Sequence, residues 1–145
     1  MKLALLLWLA SFMPPHMADR TCLATMVYLE ARSESQLGQV AVAEVALRRR
    51  EAGRWGDRVC DVVGAPGQFA ISTTSKEYRL RNPTAWDKAW QIAGQTMEVW
   101  DKPADKREFV VPRADHFVAE QYASPNWIKG APVAIIGAHS FYQIN

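Results

Sequence analysis

Glu30 and Glu34 stand four positions apart in the run Tyr28–Leu29–Glu30–Ala31–Arg32–Ser33–Glu34, with Arg32 between them. On a helix that spacing brings two carboxyls to one side, where acids can deliver a proton to a reacting oxygen and take one back. It equally describes a solvated ion-pair cluster at a helix end. Leu23, Met26, Val27 and Ala31 form an apolar stripe beside Glu30, and a carboxyl against such a wall resists ionisation. The remaining candidates are Cys22, Cys60, His116 and His139. A cysteine nucleophile served by a histidine is the competing chemistry. Against it, neither thiol has a base nearby in sequence, and Cys22 shares a face with Leu23 and Met26.

The elements that would position these groups are mostly helical. Asp19 is the expected N-cap of a helix carrying the stripe. Ser33 or Ser35 caps a second, in which Val40, Ala41, Ala43, Val45, Ala46 and Leu47 give a nearly all-round apolar surface before Arg48, Arg49 and Arg50. Such a helix belongs in the middle of a domain, with its arginines at the favourable end of the dipole. Asn82 and Pro83 open a third helix, along which Trp86, Ala89, Trp90, Ala93, Met97 and Trp100 fall on one core-facing stripe. Residues 53–82 contain Gly, Pro and short β-type stretches such as Phe69–Ala70–Ile71, predicting loops with a small hairpin or extended arm. Phe109–Val111, His116–Val118 and His139–Tyr142 are expected as short strands or extended segments.

The chain of 145 residues is long enough for one core and too short for two. With 49% hydrophobic and 22% charged residues it is neither collagen-like nor disordered, and a net charge of +2 gives no reason to expect nucleic-acid binding. It has no His-Glu-x-x-His spacing, no phosphate-cradling Gly loop and no Gly-x-Ser-x-Gly, so neither a metal nor a cofactor is expected.

Met1 and Lys2 precede an apolar run from Leu3 to Met13, with Pro14–Pro15 and the small residue Ala18 behind it. This is the pattern of a secretory signal peptide occupying residues 1–18. The run reaches only about 16 Å as a helix, short of the roughly 30 Å hydrocarbon core, so no stable membrane span is expected. His16 stands where a small residue is usual before a cleavage site. An uncleaved short anchor that tethers the protein transiently, or a buried terminal helix, are therefore the alternatives. An exported protein works in an oxidising compartment, where Cys22 and Cys60 are expected to pair. The bridge would span 38 positions and add about 3–4 kcal/mol.

The string Tyr28 to Glu34, followed by Gly38–Gln39–Val40–Ala41–Val42–Ala43 and by Val45 with Arg49, closely resembles the signature of the SleB-like family of cell-wall hydrolases. Matches continue in order through Val59–Cys60–Asp61–Val62–Val63, Gly67–Gln68–Phe69, Ala114–Asp115–His116–Phe117, Pro125–Asn126–Trp127 and Gly137–Ala138–His139–Ser140–Phe141–Tyr142. The resemblance covers nearly all of residues 21–145. It implies an α+β, mainly α, lysozyme-like single domain over residues 19–145, similar to goose-type lysozymes and lytic transglycosylases and acting on peptidoglycan glycan strands.

Carried over residue by residue, it makes Glu30 the catalytic acid and supports the Cys22–Cys60 bridge. Gln68 and Phe69 become the cleft arm, an amide for N-acetyl groups and a ring for sugar. Glu34 is expected as a structural or cleft-shaping partner of Arg32, or as a catalytic assistant. Tyr122, Trp127, His116, His139 and Tyr142 complete the candidate cleft residues, the histidines as structural groups and not as metal ligands. The chain departs from the family pattern at Arg48, where many members have Asn, and at Gly67 and Thr73, where many carry further cysteines. The expected protein is an exported monomer, periplasmic or secreted, serving as a phage endolysin or a wall-remodelling enzyme. A hydrolysing muramidase, a Cys/His amidase and a non-catalytic glycan-binding protein are the alternatives.

Overall fold

The computed structural model describes residues 1–119 and 125–145. Six helices come first, α1 (Leu3–Ala10), α2 (Pro15–Ala31), α3 (Gln36–Ala52), α4 (Val59–Gly64), α5 (Ala70–Thr73) and α6 (Pro83–Asp101). A 3-10 turn at Ala104–Lys106 leads to β1 (His116–Ala119), β2 (Ala134–Ile136) and β3 (His139–Tyr142). The strands form one antiparallel sheet in the order β1-β3-β2. This is the expected mainly helical α+β class.

Helix α2 is the axis of the body. Thr21 to Tyr28 are buried without a break, because α1, α3, α4, α5 and α6 all pack around it. Helix α3 is enclosed in the same way from Ala41 to Leu47, as its all-round apolar surface requires. Ser35 caps it, its Oγ accepting from the Gly38 N–H at 3.2 Å, and Gly53 closes it in the left-handed conformation at φ 76°. Helix α6 opens as read, with Asn82 Oδ1 accepting from the Ala85 N–H at 3.0 Å and Pro83 in the first turn.

Three local expectations are corrected. Asp19 does not cap α2, which begins at Pro15; it is buried inside that helix, and its Oδ1 accepts from the Val59 N–H at 3.1 Å at the start of α4. Arg58 and Arg50 lie 2.9 and 3.7 Å from its other oxygen. Residues 53–82 hold the short helices α4 and α5 in place of a hairpin or extended arm; Val59, Val62, Val63 and Ile71 turn into the core there, a helical spacing that the β-branched residues concealed. Phe109–Val111 is not a strand, since the Val110 and Val111 N–H groups are taken by a side chain of α3 and have none left for a ladder.

The hairpin of this fold is β2–β3, turning at Gly137–Ala138. Cys22 and Cys60 form a disulfide joining α2 to α4, with Cα atoms 5.2 Å apart. At the N-terminus Leu3, Leu6 and Ala10 of α1 are buried. The Leu3 N–H donates to the Tyr78 carbonyl at 2.7 Å, and Lys2 pairs with Glu77 at 2.7 Å. Among the described residues no helix is long and apolar enough to cross a membrane.

Candidate active site

A cleft of about 680 Å³ opens between the end of α2, the Gly67–Thr73 segment and the sheet. Glu30, Glu34, Gln68, Phe69 and His139 all line it, so five of the residues singled out in sequence meet although they come from three separate stretches of chain. Glu30 and Glu34 owe their places to different elements. Glu30 is carried on the last turn of α2, whose buried run ends at Tyr28. Glu34 lies in the turn between α2 and α3, where its backbone N–H donates to the Ala31 carbonyl at 2.9 Å.

The Glu30 side chain is partly buried, and one oxygen, Oε1, accepts from the Ala70 N–H at the start of α5. The second oxygen has no hydrogen bond among the described residues. Burial raises the carboxyl above its ordinary value, opposed by the Ala70 hydrogen bond and by the charges of His139 and Arg49. A carboxyl so placed can hold a proton, release it at an oxygen in the cleft and recover it.

Glu34 is bound differently. Its Oε1 accepts from the Ala138 N–H at 2.8 Å and lies 3.0 Å from His139 Nδ1. The carboxylate thereby ties the α2–α3 turn to the tip of the β2–β3 hairpin. Gly137 is required at that tip: its φ is 57°, and a Cβ there would sit 2.7 Å from Glu34 Oε1. His139 is 4% exposed and packs edge-on against Phe117 at 5.4 Å. The expected pairing of Glu34 with Arg32 is replaced by these contacts, because Arg32 donates to the Tyr28 carbonyl and lies over the Tyr28 ring.

On the facing wall, Gln68 Oε1 accepts from Arg49 Nη1 at 3.2 Å, leaving the amide NH₂ to donate into the cleft. Phe69 is not an open stacking platform. It is 4% exposed, with Phe117 at 5.9 Å and the Arg49 guanidinium 4.6 Å over its ring. Burial lowers Arg49 to about 10 against the raising effect of Asp115 and Glu30.

The other candidates fall elsewhere. His116, Trp127 and Tyr142 form an aromatic cluster, with ring centroids 4.8 Å apart for His116–Trp127 and 5.5 Å for Trp127–Tyr142. None of the three lines the cleft. His116 Nδ1 lies 2.9 Å from Asp115 Oδ1, and the Asp115 carboxylate also accepts from the Ile144 and Asn145 N–H groups. This cluster therefore fixes the end of the chain. Tyr122 lies outside the described residues. Sequence reasoning missed Phe117 and Val118 as cleft wall and Thr73 as its rim; strand alternation from His116 was the available signal for Phe117. Among the described residues no group of three or more His, Cys, Asp or Glu is placed to hold a metal. Cys22 and Cys60 are bonded to each other, which leaves no thiol for nucleophilic attack.

Comparison with known proteins places this geometry in a family. The model of a family described as cell wall hydrolase matches residues 33–142, beginning just after Glu30. The spore cortex-lytic enzyme of Bacillus subtilis is 31% identical over 126 residues, and that of Oceanobacillus iheyensis 30% identical over 124. These matches cover 86% and 85% of this chain, but the chain spans only 37% and 41% of the two relatives. Among solved structures, the catalytic domain of the germination-specific lytic transglycosylase SleB from Bacillus anthracis superposes with a TM-score of 0.68 at 26% identity, covering 86% of this chain and 93% of that one. The catalytic domain of the Bacillus cereus SleB protein gives 0.65 at 27%, covering 86% and 88%.

Proposed function

This chain belongs to the cell wall hydrolase family, and from that premise we propose that it cleaves the β-1,4 bond between N-acetylmuramic acid and N-acetylglucosamine in peptidoglycan as a lytic transglycosylase with Glu30 as its one catalytic carboxyl. The observation that carries this reading is the state of Glu30, a carboxyl raised by burial, held at one oxygen by Ala70 and, among the described residues, unbonded at the other on the cleft wall. In the proposed reaction the protonated Glu30 gives its proton to the leaving glycosidic oxygen as the bond from the anomeric carbon breaks. The resulting carboxylate then takes the proton of the muramic acid 6-hydroxyl as that oxygen bonds to the anomeric carbon. A 1,6-anhydro end forms without water and Glu30 is again protonated. The NH₂ of Gln68 donates to a substrate acetamido group in this scheme.

Single-carboxyl chemistry is favoured over a two-carboxylate hydrolysis by Glu34. Glu34 anchors the hairpin tip through Oε1, which takes both the Ala138 N–H and the contact with His139 Nδ1, and we assign it to holding the cleft wall in place of the second carboxylate that a hydrolase uses. Its role here is to shape the cleft. The test is mass spectrometry of digested muropeptides. Anhydro ends are expected; reducing ends would replace transglycosylation by hydrolysis. Binding without turnover, in the parent and in Glu30→Gln alike, would make the protein a glycan-binding module.

The proposal includes export, with residues 1–18 as a leader cleaved after Ala18, residues 19–145 as the catalytic domain, and action as a monomer outside the cytoplasm. The contacts of Leu3, Leu6 and Ala10 belong to the uncleaved chain. Intact Met1 in the exported soluble protein would overturn cleavage.

A further inference from the structure

Arg49 meets the cleft through Gln68 and the Phe69 ring, and it also stands in the wall of a second recess of about 430 Å³. This recess lies between the end of α3, the segment after α6 and the last residues of the chain. Five arginines line it, Arg48, Arg49, Arg54, Arg107 and Arg113. The two acids in the same wall are already committed: Glu51 pairs with Arg107 at 2.7 Å, while Asp115 holds His116 and the Ile144 and Asn145 N–H groups. Arg54 and Arg113 are exposed, and among the described residues their side chains make no hydrogen bond or ion pair.

The recess is also short of acceptors at its base. Trp100 Nε1 is a buried donor without a hydrogen-bond partner among the described residues, and Arg48 Nη2 has only the Glu44 carboxylate 3.9 Å away and no hydrogen bond, a condition that is rare in folded proteins. Aromatic rings hold the buried guanidinium groups in place, with Arg49 4.6 Å over Trp55 and Arg48 4.9 Å over Phe109. Arg113 has a φ of 69°, a conformation that side-chain-bearing residues other than Asn and Asp seldom adopt. Such strain at a recess mouth is a mark of functional placement. Glu44 lies beside Arg48, Glu51 pairs with Arg107 and Asp115 acts on Arg49, so Arg54 and Arg113 are the two charges of the recess that an added anion would offset.

We propose that this recess is an oxyanion subsite taking a carboxylate or phosphate group of the wall polymer, joined to the cleft by the Arg49–Gln68 contact. Planar guanidinium forks match both groups. The identity of the polymer rests on the function proposed above, but the anion site does not. Two sources present this chemistry in a cell wall: the carboxylates of the peptide stems carried by the glycan, and phosphodiester polymers attached to it.

The test uses the full chain in a Glu30→Gln background, with and without Arg54→Ala and Arg113→Gly. Both arginines are exposed and unbonded, and glycine suits the backbone at position 113, so the fold is retained. Inorganic phosphate and acetate are titrated against the Trp55 and Trp100 indole N–H signals in NMR, with sodium chloride at equal ionic strength as baseline. The signals are expected to move in the parent and to stay still in the double variant. Affinity is then measured by co-sedimentation with three preparations: stem-bearing peptidoglycan stripped of phosphodiester polymer, the same material after amidase removal of its stems, and wall retaining the phosphodiester polymer. The double variant should bind about tenfold more weakly to the preparation that supplies the ligand. A loss confined to stem-bearing material identifies the carboxylates, and a loss confined to phosphodiester-bearing wall identifies the phosphates. Indole signals that do not respond in the parent, or affinities equal in parent and double variant on all preparations, overturn the subsite. Muralytic activity retained by Glu30→Gln would sink the proposed reaction while leaving the ion titration to decide the subsite alone.

Discussion

Glu30 at the end of α2 and Glu44 in the middle of α3 are both pushed up from the ordinary carboxylate range by burial, yet their surroundings differ in the number of bonds they make. Glu44 is 2% exposed. Its two oxygens accept from the Val110 and Val111 N–H groups at 2.8 and 2.9 Å, and Arg48 lies 3.9 Å away. Among the described residues Glu30 has one such bond, to Ala70, and an oxygen left over on a cleft. A raised carboxyl is therefore not by itself a sign of catalysis. What separates the two is unspent bonding capacity facing a space large enough for substrate.

The sharpest way to break that comparison is to neutralise each acid in turn. Glu30→Gln keeps an oxygen for the Ala70 N–H and removes the transferable proton, so turnover should fall about 10²- to 10⁴-fold with no loss of thermal stability. Full activity in a folded variant would remove Glu30 from the site. Glu44→Gln should do the reverse. It takes the charge from Arg48 and sets an amide NH₂ against a backbone N–H, costing about 3 kcal/mol in chemical denaturation, while turnover per folded molecule stays at the parent level. A Glu44 variant as stable as the parent would show that the segment at Val110–Val111 does not depend on this carboxylate.

The same contrast explains what could be seen in the sequence. Glu30 was legible because it sits in a local block, Tyr28 to Glu34, with an apolar stripe beside it. Asn82–Pro83 was legible because an N-cap and the proline behind it act within one helical turn. Glu44 and Asp19 were not, since their partners Val110, Val111 and Val59 lie 66, 67 and 40 residues away. Nothing in the local pattern tells a buried acid which distant N–H it will meet. For α4 and α5, the β-branched and aromatic residues of 53–82 favoured extended structure locally, and packing against α2 overrode them. The chemistry of His116 and Trp127 points to the cleft, but Asp115 holds His116 beside the last residues, and Trp127 packs there on His116 and Tyr142.

A smaller effect sharpens the role of Glu34, one oxygen of which takes both the Ala138 N–H and the contact with His139 Nδ1. Gly137→Ala places a Cβ into Glu34 Oε1 at a positive φ. The expected cost is about 1–3 kcal/mol, accompanied by weaker substrate binding as the hairpin tip and His139 shift. Unchanged stability and an unchanged KM would mean that the hairpin does not set the cleft wall.

The smallest expected effect is the pH dependence of stability. The folded-state pKa of Glu30 is raised above its ordinary value of 4.5, so the fold prefers the protonated form. Well below pH 4.5 the carboxyl is protonated in folded and unfolded chains alike, and it contributes no difference. As the pH rises above 4.5, the unfolded chain releases its proton first. The unfolded state thus gains free energy that the folded state does not match, and stability falls until the folded carboxyl ionises too. Glu30→Gln lacks this penalty. Its melting temperature relative to the parent should accordingly rise as the pH climbs above 4.5 and level off once the folded carboxyl has ionised, and the plateau should begin where the activity of the parent starts to decline with pH. Coincidence of these two limits would show that one proton governs both stability and turnover. A difference in melting temperature that is flat with pH would mean that Glu30 ionises like a solvated carboxylate and cannot act as the proposed acid.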